Sequence, residues 1–143
     1  MTDDRTDTAE HLQIGAVATE TGLSIKTIRH YDEVGLVVPS ARSAGGFRLY
    51  TRADIDRLFV IRRMKPLGFT LDDMRALLHA ESVLDDTDAA PADRRAALEE
   101  VAEFRQRARL ACEKLERQLE YAHELTAQLS DRLTDPASAG RAT

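Results

Sequence analysis

Residues Ile14 to Tyr50 read IGAVATETGLSIKTIRHYDEVGLVVPSARSAGGFRLY, and the spacing inside that stretch decides the fold. Val17 and Ala18 sit on a short helix, Gly22 follows Ala18 by four residues, and Ile28 follows Gly22 by six. Two helices can then meet at a steep angle. Ala18 is small enough to let the second helix approach, Gly22 can take the positive φ that ends the first, and Ile28 fills the gap between them. Ser24 is placed to cap the second helix. That helix turns Ile25, Ile28 and the body of Tyr31 inward and sets Lys26, Arg29, His30 and Glu33 on its other side.

Beyond Gly35, Leu36 to Pro39 reads as extended chain. After Gly45-Gly46, Phe47-Arg48-Leu49-Tyr50 alternates apolar and polar residues, which predicts a short antiparallel wing. In this reading Phe47 and Leu49 face the helices, while Arg48, with Arg42 across the loop, faces a phosphate backbone. Tyr50 shares the polar register, so its hydroxyl either reaches a phosphate or its ring packs the wing. Lys26 and Arg29 lie where a helix in the major groove presents donors to guanine O6 and N7, and the Tyr31 hydroxyl can serve a phosphate.

The order of helix-turn-helix, TIRHYDEVGL and GGFRLYT resembles the MerR family of bacterial transcription regulators, through Ala80. It departs at His30, where the family usually carries a second aromatic beside Tyr31; imidazole can still stack or donate. The resemblance implies a winged-helix head that docks as a dimer on a near-palindromic promoter element and bends and untwists the DNA. Arg29, Tyr31 and Arg48 match family positions that contact DNA. Lys26, Thr27 and Tyr50 are weaker matches, and His30 and Arg42 complete the candidate set. RNA polymerase is a candidate further partner.

Working outward, Thr51 with Asp54 and Thr70 with Asp73 are spaced as capping boxes, each opening a helix. Pro66 and Gly68 should end the first of these close to Lys65. ESVLDDTDAAP, residues 81–91, is acidic and turn-rich and reads as a linker. From Ala92 to about Leu133 there is neither Gly nor Pro. Leu98, Val101, Ala108, Cys112, Leu115, Leu119, Ala122, Leu129 and Leu133 recur there in an a/d register that only Arg105 and Thr126 interrupt. So long a helix needs a partner for its stripe. A second copy is the simplest, and folding back on its own head is the alternative. The resemblance implies the former, as an antiparallel coiled coil.

The expected architecture is therefore mostly α: a disordered acidic N-terminus (1–11), a winged helix-turn-helix head with a β-hairpin wing (12–80), a linker (81–91), a dimerisation helix (92–133) and a disordered tail (134–143). Charge follows this division. The 143-residue chain carries −5 overall, yet residues 12–80 hold ten Lys or Arg against seven Asp or Glu, whereas 81–143 hold nine against fourteen and 1–11 one against four. Positive charge is concentrated where binding to phosphates would need it.

No cofactor, metal site or catalytic site is expected. The chain has a single cysteine, Cys112, and four scattered histidines. Cys112 and His123 stand about 16 Å apart along one helix, too far to share an ion. No nucleophile and base are suitably spaced, and there is no phosphate-binding loop. Cys112 lies midway along the long helix, where an antiparallel pairing would bring it near its copy; a small buried seam residue is the favoured reading and a thiol switch the alternative. No apolar run approaches a membrane span and no signal peptide is seen, so a cytoplasmic, nucleoid-associated protein is expected. Two rivals stand beside the regulator: a coiled-coil adaptor whose head no longer binds DNA, and an excisionase-like architectural DNA-binding protein.

Overall fold

A computed structural model describes residues 11–137; of the ends expected to be disordered, 1–10 and 138–143 lie outside these residues, whereas Thr134, expected in the tail, is the last residue of the long C-terminal helix. In chain order the elements are β1 (Leu12–Gln13), α1 (Ile14–Thr21), α2 (Ile25–Glu33), β2 (Ala41–Arg42), β3 (Arg48–Tyr50), α3 (Arg52–Met64), a 3-10 turn (Lys65–Leu67), α4 (Leu71–Asp85) and α5 (Pro91–Thr134). The chain divides into two compact units between Val101 and Ala102.

The turn between α1 and α2 follows from local chemistry. Gly22 sits at φ 73° and returns its N–H to the carbonyl of Ala18, and the Ser24 hydroxyl accepts from the N–H of Thr27 at 3.0 Å. A cap of this kind contributes about 1 kcal/mol. Val17 and Ile28 are fully buried between the helices. Ile25 departs from expectation: it is 39% exposed, so the inward face of α2 rests on Ile28 and Tyr31.

Both capping boxes form, Thr51 with Asp54 and Thr70 with Asp73. Ile55, Leu58 and Ile61 of α3 are fully buried, and Met74 and Leu78 of α4 are buried as well. α3 ends at Met64, and the turn containing Pro66 closes on Gly68 at φ 85°, because proline removes the donor that a further helical turn would use.

Three features of the head differ from the sequence reading. The wing strand expected over Leu36–Pro39 lies at Ala41–Arg42 instead. Leu36 and Val37 both donate their N–H to the carbonyl of Tyr31, at 2.8 and 3.2 Å, which folds them back onto the end of α2. The sheet also has three strands, in the order β1-β3-β2, with Leu12 opposite Tyr50 and Gln13 opposite Leu49. Finally, α4 continues through Asp85, since Glu81 to Asp85 contains no helix breaker; the irregular connection is confined to residues 86–90. Arg94 holds that connection by donating to the carbonyls of Leu84 and Asp86.

α5 runs 44 residues, about 66 Å at 1.5 Å per residue. Leu98 is exposed and Val101 half-buried; beyond Ala102, Ala108 is half-buried and Cys112, Leu115, Leu119, Ala122, Leu129 and Leu133 are exposed. Phe104, outside the expected stripe, is buried. It carries the Arg107 guanidinium 5.3 Å above its ring.

Candidate nucleic-acid interface

α2 and the wing carry all eight candidate DNA-binding residues, and the structure sorts them into four settings. Lys26, Thr27, His30 and Tyr31 border one open cleft of about 400 Å³, which Lys65, Phe69 and Met74 also line. Lys26 and His30 are exposed there. Thr27 is half-buried and its hydroxyl accepts from that of Ser24 at 2.8 Å. The Tyr31 ring is buried, 6.0 Å from the imidazole of His30 between centroids. Burial pushes its phenol pKa up, so it stays neutral. Arg29 is exposed on α2 outside this cleft.

Arg42 and Arg48 form the third setting. They face each other across β2 and β3, around one carboxylate oxygen of Asp32. Arg48 Nε donates to that oxygen at 2.6 Å, and an Arg42 Nη lies 3.7 Å from it. This hydrogen bond, ahead of the other influences, raises the Arg48 pKa. Arg42 also donates to the carbonyl of Gly46 at 3.4 Å, across the Ser43–Gly46 turn at the wing tip.

Tyr50 is the fourth setting and a correction. It is fully buried, and its hydroxyl is the one buried side-chain polar atom without a partner among the described residues. A phosphate cannot reach it. Burial first, then the charge of Asp32, pushes its phenol pKa up. The alternation read along this strand is correct, but its faces are reversed. Arg48 and Tyr50 turn toward the head, and Phe47, expected inside, is 66% exposed beside the Gly45-Gly46 turn. The reason is Asp32, which gives the arginine an ionic partner on the inner side.

Several long-range contacts that hold this surface were invisible to pattern reading. Arg75 of α4 donates to the carbonyls of Val34 and Gly35 at 3.0 and 3.1 Å, capping the C-terminal end of α2. Arg62 of α3 donates to the carbonyl of Thr21 at the end of α1, at 2.9 Å. Asp54 is fully buried and accepts from Ser40, Thr51 and Arg57, which fastens the chain entering the wing to α3. Asp32 was a further signal available in sequence: a carboxylate beside the basic residues of α2.

The chain is similar to known proteins in sequence and in fold. Residues 12–81 match the family described as MerR HTH family regulatory protein, and residues 55–132 match that described as MerR, DNA binding. The HTH-type transcriptional activator TipA of Streptomyces coelicolor is 49% identical over 65 residues, covering 46% of this chain and 26% of that protein. The HTH-type transcriptional regulator CueR of Vibrio cholerae is 39% identical over 79 residues, covering 55% of this chain and 57% of that protein. The chain thus spans between a quarter and somewhat over half the length of these relatives. The crystal structure of HiNmlR, a MerR family regulator lacking the sensor domain, bound to promoter DNA, covers 87% of this chain and 94% of that one with a TM-score of 0.66. Its identity of 19% makes the likeness one of fold.

Proposed function

The chain belongs to the MerR family of helix-turn-helix regulatory proteins, and from that premise we propose that it is a homodimeric transcriptional regulator that binds a near-palindromic promoter element and acts by bending and untwisting it. The observation that carries this reading is the pairing, within one compact unit, of exposed donors on α2 with a two-arginine wing. Lys26, Arg29 and His30 supply donors for base edges and nearby phosphates, and Arg42 and Arg48 supply cations for the backbone. Thr27 sits at the border of the same surface, and Tyr31 serves it chiefly by supporting His30.

One head reads one half-site, so two must be joined. The exposed leucines of α5 support a second copy as the partner, with Leu98, Val101, Ala108, Cys112, Leu115, Leu119, Ala122 and Leu129 in the seam. RNA polymerase is the further partner such a regulator would meet at a promoter. No described helix is long and apolar enough to cross a membrane. As a regulator of promoters, the protein would work in the cytoplasm at the nucleoid, where its DNA lies.

DNase footprinting across the upstream region of the protein's own gene, with and without reductant, tests the proposal. Protection of a near-palindrome overlapping the spacer between the two promoter hexamers is expected, with hypersensitive positions where the duplex is distorted. A dimer that protects no promoter sequence there or in a genome-wide binding selection would overturn it.

A further inference from the structure

Asp32 stands where two cations would otherwise repel. Arg42 and Arg48 are opposite partners on antiparallel strands, and like charges so placed destabilise the pair. One oxygen of Asp32 takes a hydrogen bond from Arg48 at 2.6 Å and lies 3.7 Å from Arg42. Because Asp32 belongs to α2, that oxygen also ties the wing to the reading helix. The Asp32 side chain is only 11% exposed, against 26% for Arg48 and 52% for Arg42. The inner bond is therefore shielded from water, and the outer arginine, which also donates to the Gly46 carbonyl, stays half exposed.

We propose that Asp32 is a positioning residue for DNA recognition: it fixes the Arg48 guanidinium relative to α2 and limits the wing cluster to a single net positive charge, so that the wing grips a backbone only where the helix also fits. The proposal rests on the DNA-binding reading above. Arg48 uses its Nε–H on Asp32, which leaves its Nη groups as a preset fork for a phosphate oxygen. Less side-chain freedom is then lost when DNA binds. The carboxylate also opposes sequence-independent attraction, which grows with each cation that displaces a counterion. Asp32 gives up general affinity and gains discrimination.

The test uses the full chain, a duplex that the wild type selects from a random pool, and a scrambled duplex of equal length and composition. Dissociation constants are measured over a range of salt for Asp32→Asn, Asp32→Glu, Arg48→Ala and the Asp32→Asn/Arg48→Ala double variant. Asp32→Asn is expected to steepen the salt dependence by about one counterion. It should also reduce the ratio of scrambled to selected dissociation constants about tenfold, with Asp32→Glu recovering most of that loss. In the Arg48→Ala background the same change should alter the ratio less than about twofold, since the interaction it removes is already gone.

An unchanged ratio in folded Asp32→Asn overturns the proposal, as does a full additive change in the Arg48→Ala background. Should Asp32→Asn not fold, Arg48→Lys asks the same question from the other side, because lysine keeps the charge and lacks the fork; an undiminished ratio there is equally fatal. A wild type that selects no duplex at all overturns the DNA-binding reading itself, which is a distinct result.

Discussion

Asp54 is a carboxylate with no exposure at all, and it remains tolerable only because its two oxygens meet the N–H and hydroxyl of Ser40, the N–H of Thr51 and the guanidinium of Arg57. Truncation to alanine would strand those donors in a low-dielectric interior, so Asp54→Ala should lower stability by about 3 kcal/mol, read as a drop in the urea midpoint with unchanged slope. Tyr50 presents the opposite case: its ring is wanted and its hydroxyl is not, since the buried oxygen has no partner. Tyr50→Phe keeps the ring and removes the unsatisfied group, and should raise stability by about 1 kcal/mol in the same denaturation experiment. A loss of stability in Tyr50→Phe would mean that the hydroxyl finds a partner in solution.

At the scale of elements, the reading helix is held from behind. Arg75 of α4 supplies a positive group to the carbonyls of Val34 and Gly35, just past the end of α2, acceptors that the helix cannot satisfy itself. Arg75→Ala should therefore cost about 1 kcal/mol and speed hydrogen exchange at the end of α2 more than in α3. Glu81 on α4 gives the pH-dependent counterpart. Burial, with added repulsion from Asp85 four residues on, pushes its carboxyl above the ordinary value of 4.5. The folded state then holds the proton more tightly than the unfolded chain, so this group favours folding most below 4.5 and loses that contribution as pH rises through the folded value. Glu81→Gln should melt higher than wild type at neutral pH, by about 0.5 kcal/mol of stability, with the difference closing near pH 4. These elements also show how much the sequence could disclose. The caps at Ser24, Thr51 and Thr70 are legible because their chemistry lies within four residues, and the α1–α2 corner because Gly22 and Ile28 are fixed by spacing. β1 is two residues long and has no period to detect. The faces of β3 were reversed because alternation defines two faces without saying which is inner; that choice was made by Asp32, 16 residues away in sequence from Arg48. Arg62 and Arg75 act on carbonyls 41 and 40 or 41 residues distant, and no local pattern encodes such contacts.

For the molecule as a whole, the deciding question is what covers α5. Beyond Ala102 it is a single helix, with Leu115, Leu119, Leu125 and Leu129 each about half exposed, and an isolated helix of that length draws most of its stability from packing an apolar face. The stripe was legible because three- and four-residue spacing of leucines survives any tertiary context, whereas Phe104 was missed because it lies beside the a/d register. A seam made by a second copy would also serve recognition: joining two heads makes the second half-site an intramolecular target, and overall affinity can then exceed that of either head by about 10²-fold or more. Leu119→Glu places a charge in that seam while leaving every residue of the head unchanged. We expect sedimentation to show a dimer for the wild type and a monomer for Leu119→Glu. The variant should keep the helical signal of residues 12–80 and lose protection of the full palindrome at concentrations where the wild type protects it. A variant that remains dimeric would move the seam off the leucine stripe, and a monomer that footprints as tightly as the wild type would show that each head reads its half-site alone.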